Sequence, residues 1–402
     1  MIKFVSKRLR KVASNIGILD FARKAYLKRY RAGLQEQYEG YKKTKNVPLP
    51  DYVVFEPTGK CNLRCRMCYI NFDVTTKLKD VNAEKFKIMI DKMPFIKKIS
   101  LIGGELFVRR DIFDMLDYLE SKNIKFGIGT NATLLNEEKI KRLAKYKNLG
   151  QVGVSIDGAE QIHNQIRGPG AFSKTMANIK LMKKHGLFVS IVSVIMKENL
   201  DNLKEIAKTV KDAGADYMEF EYERIYTEEI VEKSAKMIGF ENTRENFPLS
   251  LSQNILPEYT FERLKEKIRD VENYAKKIGL TLGFQPFYFP ERLEEYYNRA
   301  PRGEHFCKHL FIPRIDCEGN VIFCFAIKKP FGNLTHQSFE EIWYGVELEH
   351  FREKFLSSGV LPICETCEKL VCLEKTRNMD GREVIELQTM PGKPNKDFII
   401  ER

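Results

Sequence analysis

Three cysteines close together in the chain have the residue type and spacing of ligands to an iron–sulfur cluster. Cys61, Cys65 and Cys68 are separated by three and then by two residues. Three thiolates can hold three corners of a [4Fe–4S] cluster and leave the fourth iron without a protein ligand. The spacing therefore predicts a cluster with one open iron.

The open iron is where the predicted chemistry would occur. It can chelate the amino and carboxylate groups of S-adenosylmethionine (SAM), so that one electron from the cluster cleaves a C–S bond and yields a 5′-deoxyadenosyl radical. A structural zinc site is the alternative, but zinc takes four tetrahedral ligands, usually from paired Cys-x2-Cys units. No histidine or fourth cysteine is near in the sequence, so the ligand count favours the cluster.

Alternating strands and helices must position these cysteines. Apolar and β-branched runs predict the strands Tyr52–Glu56, Ile99–Ile102, Lys125–Thr130, Gln151–Ile156, Phe188–Val194 and Tyr217–Glu221. Helical patterns lie between them, near 83–93, 111–122, 136–146, 173–185 and 201–213. This alternation predicts an α/β fold with βα units around a parallel sheet, a partial (β/α)6 TIM-like barrel. The chemistry of such barrels lies at the C-terminal ends of the strands, and Cys61 follows the first strand.

The cysteine spacing at this position resembles the radical SAM superfamily, and further motifs follow in the order of that family. Gly103, Gly104 and Glu105 resemble its Gly-Gly-Glu motif, which hydrogen-bonds the methionyl amino group of SAM. Thr130 and Asn131 resemble the family's Thr-Asn element near the cofactor. The resemblance covers about residues 50 to 220 and implies a radical SAM barrel.

Another stretch after the predicted fourth strand resembles the family. The resemblance implies that Ser155, in Ser-Ile-Asp157-Gly, reaches the ribose or the carboxylate of SAM and that Arg167 pairs with the methionyl carboxylate. Met67 and Tyr69, on either side of Cys68, complete the predicted cofactor-binding residues. Two departures alter the predicted wall of the site. Met67 stands where the family usually has an aromatic residue, and Leu106 stands where a proline usually follows Gly-Gly-Glu.

A second cysteine group near the C-terminus resembles the SPASM extension, or its shorter twitch form, which carries auxiliary iron–sulfur clusters. A full SPASM domain uses more cysteines than this chain has, whereas the twitch pattern needs four. Cys307, Cys324, Cys364 and Cys367 fit that pattern as ligands of one auxiliary [4Fe–4S] cluster. Three alternatives remain open: ligand exchange to Cys372, a histidine ligand from His305 or His309, and a zinc site on the same four thiols.

Phe325 bears on the activity that the resemblance implies. In sulfatase-maturating SPASM enzymes an aspartate directly after the cysteine that corresponds to Cys324 serves as a base. This chain has Phe325 there. The substitution speaks against sulfatase maturation.

The net charge of +12 is concentrated in the first residues, because residues 1–34 alone carry +9. Apolar residues at helical spacing predict one or two amphipathic helices there. Such a helix suits an anionic membrane surface, or it packs on the protein's own body while its cations are solvated, and both interpretations remain open. No long apolar run or signal sequence is present, which predicts a cytoplasmic protein, peripheral on the cytoplasmic membrane face where the arm binds lipid.

Five segments are predicted along the chain. They are a basic amphipathic helical arm at 1–48, a radical SAM core at 49–225, a helical connector at 226–302, a SPASM- or twitch-like auxiliary-cluster domain at 303–376 and a tail at 377–402. The connector contains one further predicted strand, Leu280–Phe284. The fold is thus predicted to be a barrel with a small C-terminal Cys-rich iron–sulfur domain and an N-terminal arm.

The candidate catalytic residues lie on the predicted sixth strand. Glu219 and Glu221, with Glu223 just beyond them, alternate and so face the same way. They are candidates for contacting substrate or handling protons, and pairing with core lysines or arginines is the equal alternative. The resemblance also implies two partners, SAM and an electron donor such as a ferredoxin or flavodoxin.

Three functions compete for this sequence. The first is hydrogen abstraction from a membrane lipid or lipid-linked molecule, favoured by the arm and by aromatic residues in 284–297. The second is peptide or protein modification, although the arm does not resemble a peptide-binding domain. The third is a zinc-containing nucleic-acid-binding protein, which leaves the Gly-Gly-Glu motif and the βα array unexplained. The sequence favours the first and names no substrate.

Overall fold

A computed structural model describes residues 18–285 and 293–372, and for residues 18–28, 31 and 372 it describes the backbone alone. The start of the predicted arm and the predicted tail at 377–402 therefore lie outside the described residues. The strands are β1 (Tyr52–Phe55), β2 (Lys98–Leu101), β3 (Lys125–Thr130), β4 (Leu149–Ser155), β5 (Val189–Ile195), β6 (Tyr217–Tyr222), β7 (Leu282–Gln285), β8 (His305–Cys307), β9 (Arg314–Ile315), β10 (Asn320–Ile322), β11 (Pro330–Asn333) and β12 (Leu370–Cys372).

The helices alternate with the first seven strands and continue into the C-terminal region. They are α1 (Ile18–Thr44), α2 (Phe72–Thr75), α3 (Ala83–Asp91), α4 (Ile112–Ser121), α5 (Glu137–Leu143), α6 (Glu160–Arg167), α7 (Ala171–Lys184), α8 (Leu203–Asp212), α9 (Glu228–Ile238), α10 (Phe261–Ile278), α11 (Leu293–Tyr297), α12 (Phe339–Trp343) and α13 (Val346–Ser357). The predicted helices between the barrel strands are confirmed to within a few residues. Helix α6 was not predicted, because it is short and its sequence was interpreted only as a motif.

Strands β1 to β7 form one parallel sheet in chain order, which confirms the predicted βα barrel. The further strand predicted at Leu280–Phe284 is β7, and it joins this sheet beside β6. Aromatic residues on the outer face pack against the surrounding helices, as Phe55 does against Phe86 of α3, with ring centroids 5.1 Å apart. Small residues lie on the inner face, where Gly129 and Ser155 border a cavity at the C-terminal ends of the strands. The absence of bulk there leaves room for a ligand.

The C-terminal strands extend the barrel sheet instead of forming a separate one. Strand β9 pairs in parallel with β1, and β10 and β11 follow in antiparallel order, so that one ten-stranded sheet runs from β11 to β7. Strands β8 and β12 form a second, two-stranded sheet. The ten-stranded sheet contains strands from both sides of the predicted segment boundaries at 226 and 303. The boundaries themselves stay predictions.

A buried ion pair fastens the two parts of the sheet together. Glu56, directly after β1, accepts from Arg314 of β9 and from Nζ of Lys328 at 2.5 Å. Both Glu56 and Arg314 have side chains less than a tenth exposed. A charge this far from water is stabilised only while its partner is present.

Acid should weaken this ion pair in a defined pH window. Burial alone would raise the pKa of the Glu56 carboxyl group. The neighbouring cations Lys328 and Arg314 outweigh burial and lower this pKa to about 2, from 4.5 in the unfolded chain. The stabilisation is therefore complete above the unfolded pKa and is lost as the pH falls towards the folded one, in total about 3 kcal/mol. Denaturant unfolding of the metal-free protein should show the gap between wild type and Glu56→Gln narrowing steadily as the pH falls from about 6 to about 2. A constant gap between the two would contradict this origin.

The described part of the arm packs on the protein itself. Leu34, Tyr38 and Tyr41 of α1 are buried. The Tyr38 ring stacks on Phe306 at 4.5 Å, and its hydroxyl donates to Glu304 at 3.1 Å. The apolar stripe from residue 34 onwards is therefore covered by the C-terminal region. The membrane interpretation of the arm now rests on residues before 29, whose side chains lie outside the described residues.

No helix among the described residues is long and apolar enough to cross a membrane.

Candidate functional site

The three cysteines of the first group lie around one cavity at the C-terminal end of the barrel. Cys61, Cys65 and Cys68 are half-buried and line this cavity, which has a volume of about 220 Å³. Strand ends supply the rest of the wall, namely Gly103, Gly104 and Glu105 after β2, Gly129, Thr130 and Asn131 at β3, Ser155 of β4, Arg167 of α6, and Glu221 and Arg224 at β6. Most residues that the sequence predicted for this site are thus brought together.

The two glycines of the Gly-Gly-Glu motif are required by the backbone of the cysteine loop. A Cβ atom on Gly104 would lie 2.0 Å from the carbonyl oxygen of Lys60, and Gly103 has a φ of 147°. The Gly104 N–H donates to Thr58 O at 2.9 Å, and the Glu105 N–H donates to Lys60 O at 2.8 Å. Only glycine permits this approach, which places Cys61 beside the end of β2.

Replacing Gly104 by alanine should displace the cysteine loop. The new methyl group would meet backbone atoms, which cannot rotate away as a side chain could, so Lys60 and Cys61 must move. We expect the reconstituted variant to lose the iron of the first site and to unfold at a lower temperature. Gly40→Ala is the control, because a Cβ there meets nothing within 4 Å. Full iron content in Gly104→Ala would contradict the steric argument.

Glu105 joins the ends of β2 and β3. Its buried carboxylate accepts from the Thr130 hydroxyl at 2.7 Å, from the Asn131 N–H at 2.7 Å and from the Phe107 N–H at 3.1 Å. Burial raises its pKa despite these donors. A carboxylate offers about four acceptor positions, so one remains for an ammonium group of a ligand. Asn131 also donates to the Asn62 side chain at 3.0 Å, beside Cys61.

Arg167 and Asp157 form a buried pair behind the cysteines. The Arg167 Nε donates to Asp157, and its Nη1 lies 3.7 Å from the Cys65 sulfur. Asp157 is fully buried, also accepts the Val194 N–H at 2.8 Å, and does not line the cavity. Asp157 therefore orients Arg167 and has no direct access to a ligand. The N–H donor near Cys65 suits a thiolate that is bound to iron.

The other sequence-predicted side chains separate into those that reach the cavity and those that do not. Tyr69 lines it, whereas Met67 does not. Glu221 lines it and accepts from Arg224 at 3.1 Å. Glu219 does not reach it and accepts the Tyr217 hydroxyl at 2.8 Å. Of the two candidate catalytic residues, the cavity thus contains only Glu221.

Arg224 was missed by sequence reasoning and occupies a central position. It donates to Glu368 through Nε at 2.7 Å, and its guanidinium lies 5.4 Å from the Tyr69 ring centroid and 5.0 Å from that of Phe325. These three partners directly follow Cys68, Cys324 and Cys367 in the chain. No local pattern identifies Arg224, since its neighbours come from distant segments.

Four cysteines of the second group are neighbours. Burial raises the pKa of Cys364 well above its usual value. The charged groups that raise this pKa further begin, in order of effect, with the thiolates of Cys307, Cys367 and Cys324. Cys317 lies apart, beside Asp316, Asp80 and Glu56. This grouping supports the predicted twitch-type ligand set. Among the described residues, no three His, Cys, Asp or Glu side chains are grouped as ligands of a single metal ion.

Among the open alternatives for this second group, the histidine ligand has one observation in its favour: the buried Nε2 of His309 has no hydrogen-bond partner among the described residues. His309 shares its Nδ1 with the Ile312 carbonyl at 2.9 Å, and His305 shares its own with the Gly303 carbonyl at 2.9 Å. Cys372 lies on β12, whose backbone pairs with β8, and its side chain lies outside the described residues. The histidine and Cys372 ligands stay predictions.

Family comparisons agree with this geometry. The model of the radical SAM superfamily matches residues 55–210, and that of the SPASM iron–sulfur cluster-binding domain matches residues 308–368. The chain belongs to the radical SAM superfamily and carries a C-terminal SPASM domain. It is an enzyme whose cofactors are SAM, a [4Fe–4S] cluster and an auxiliary cluster.

Individual relatives cover different parts of the chain. The antilisterial bacteriocin subtilosin biosynthesis protein AlbA of Bacillus subtilis is 34% identical over 172 residues, which are 42% of this chain and only 38% of AlbA. The AdoMet-dependent heme synthase of Methanosarcina barkeri is 26% identical and covers 80% of this chain and 90% of its own. The crystal structure of Streptococcus suis SuiB bound to precursor peptide SuiA shares the fold, with a TM-score of 0.60, 17% identity and coverage of 83% and 74%.

The described residues fit these cofactors. Three thiols surround the cavity, Arg167 directs an N–H towards one of them, and Glu105 keeps an acceptor position for an ammonium. When bound, the cluster and SAM together supply one-electron cleavage of SAM to a 5′-deoxyadenosyl radical. The protein contributes the cavity at the ends of the strands, whose walls limit the access of water to a reactive radical.

Proposed function

We propose that this enzyme removes a hydrogen atom from an unactivated C–H bond of a substrate held between its two cluster sites. One observation carries the proposal: a single cavity is lined both by Cys61, Cys65 and Cys68 and by Phe325, Glu368 and Lys369 of the SPASM region. A substrate in that cavity would be close to the deoxyadenosyl radical and to an electron acceptor. The electron that cleaves SAM would come from a ferredoxin or flavodoxin.

The residues proposed to hold SAM lie on the barrel side of the cavity. They are Gly103, Gly104, Glu105, Asn131, Ser155 and Arg167. Glu221, Arg224 and the SPASM residues lie on the remaining wall and are proposed to face the substrate. This division leaves room for both molecules to meet at the three cysteines.

An iron tetrapyrrole side chain is the substrate class that we favour. A relative that aligns along 80% of the chain is named an AdoMet-dependent heme synthase. Aromatic residues of the cavity wall, Tyr69, Phe72 and Phe325, suit a flat apolar ring. The lipid interpretation has lost its main support, because the described part of the arm packs on the protein itself.

A peptide is the second candidate substrate. The likeness to AlbA, named as a bacteriocin biosynthesis protein, favours this candidate, and it extends over 42% of the chain. A peptide would enter the same cavity, and its side chain would take the position that we assign to the tetrapyrrole side chain.

Deuterium transfer tests the proposed function. The reconstituted enzyme, reduced and mixed with SAM, is given an iron porphyrin with deuterated propionate groups or, separately, a deuterated peptide. We expect deuterium in 5′-deoxyadenosine and a mass change of the porphyrin. Transfer from the peptide alone would move the assignment to peptide modification. Absence of 5′-deoxyadenosine under every condition would overturn hydrogen abstraction.

A further inference from the structure

Two arginines of the cavity wall keep hydrogen-bond donors that the described part of the chain does not use. Arg314 is 1% exposed, and only its Nε donates, to Glu56. Arg224 uses Nε and Nη2 for Glu368 and Glu221, and its Nη1 makes no hydrogen bond with a described residue. A guanidinium has five N–H donors, so both Nη groups of Arg314 and Nη1 of Arg224 remain to be satisfied.

Both guanidiniums belong to one local structure around Phe325. Their central carbons lie 5.0 Å (Arg224) and 5.7 Å (Arg314) from the Phe325 ring centroid. All three residues line the cavity. The acidic partners Glu56, Glu221 and Glu368 hold the guanidiniums in place from other sides, so their orientation is fixed before a ligand arrives. Both arginines line the cavity, so a ligand acceptor there can reach the donors that the protein leaves unused.

The chemistry of these donors specifies the ligand. A planar guanidinium matches the two oxygens of a carboxylate, and such charge-assisted hydrogen bonds are stronger than neutral ones. We propose that Arg224 and Arg314 form a carboxylate-binding subsite of the cavity, which takes a carboxylate group of the substrate. The proposal rests on the proposed function in one respect, that the substrate occupies this cavity, and it adds the chemical group by which the substrate is recognised.

The position of the subsite would direct a bound substrate towards the first group of cysteines. Arg224 contacts Tyr69, Phe325 and Glu368, the residues that follow cysteines of both groups. A carboxylate held there would lie between the two cluster sites. The carbon chain that carries it would then extend towards the three cysteines, where hydrogen abstraction takes place.

Propionate and propionamide are matched probes for the subsite, since they differ only in the charged group. Their Kd values are measured by NMR on the reconstituted enzyme with saturating SAM, so that the carboxylate of the cofactor already fills its own site. We expect propionate to bind and propionamide to bind about tenfold more weakly or not at all. Equal affinities, or loss of propionate binding when SAM is added, would overturn the subsite.

Two substitutions should change propionate affinity in opposite directions. Arg224→Met removes donors and should weaken binding about tenfold. Glu221→Gln removes a competing acceptor and a negative charge beside Arg224, and should tighten binding. Glu221→Gln also keeps the test decisive if Arg224→Met fails to fold. Arg142→Met is the matched control, since Arg142 lies over the Phe113 ring and pairs with Asp117 outside the cavity. Unchanged affinity in both cavity variants would contradict the proposal.

Larger ligands show whether the carboxylate that binds belongs to a porphyrin or to a peptide. An iron porphyrin with free propionates is compared with its methyl ester, and a glutamate-containing peptide with its glutamine counterpart. Preference for the acid in either pair supports the subsite and identifies the source, and equal binding within both pairs would count against it. Failure of the deuterium-transfer experiment leaves these binding results intact, so the two proposals can fail separately.

Discussion

Replacing Cys61, Cys65 and Cys68 together by alanine will abolish 5′-deoxyadenosine formation and halve the iron content. The three thiols line the cavity together and are the proposed ligands of the [4Fe–4S] cluster that the family match implies. Two [4Fe–4S] clusters hold about eight irons, so the variant should retain about four on the auxiliary cysteines. Iron and labile sulfide are counted after anaerobic reconstitution, and 5′-deoxyadenosine is measured after dithionite and SAM are added.

Cys317 provides the matched control for this experiment. It is buried like Cys307, Cys324 and Cys364, yet the charged groups with the largest effects on its pKa are Asp316, Asp80, Glu56 and Lys328 rather than thiols. Cys317→Ala should therefore keep about eight irons and normal SAM cleavage. A loss of iron in Cys317→Ala would show that the auxiliary ligand set differs from the one proposed. Retention of eight irons in the triple variant would refute the first ligand set.

Replacing Arg314 by methionine will lower the free energy of unfolding by about 3–5 kcal/mol, the usual effect of leaving a buried charge with less compensation. The Arg314 side chain is 1% exposed and pairs with Glu56, which is then left with Lys328 alone. The pair also joins β9 to the end of β1, so the contact between the SPASM region and the barrel weakens with it. Chemical denaturation of the metal-free protein measures the change.

A solvent-exposed ion pair supplies the control for Arg314. Lys208 and Asp212 are separated by 3.1 Å, and both side chains are more than 60% exposed. Lys208→Met should leave the free energy of unfolding nearly unchanged, because water screens this pair. If Arg314→Met and Lys208→Met were equally mild, burial would not be the source of the effect.

Local sequence determined the first cluster site and the barrel. Ligand spacing in Cys61, Cys65 and Cys68 is a property of one short loop, and the alternation of apolar runs is a property of each βα unit. Neither depends on distant residues, so both could be predicted. For the four auxiliary cysteines the resemblance supplied a pattern that spans the sequence gap, and that ligand set stays a prediction.

Only the tertiary structure decided the wall that faces the substrate. Arg224, Arg314 and Phe325 come from different parts of the chain, and their neighbourhood exists only because β9 pairs with β1. The fate of the arm was decided in the same way, since its apolar stripe suited a membrane or a protein surface equally until Tyr38 was seen against Phe306. The periodicity of apolar side chains predicts that a helix face is buried but does not identify the surface that covers it. Long-range packing selects the partner, and in this enzyme it thereby selects the chemistry of the substrate pocket.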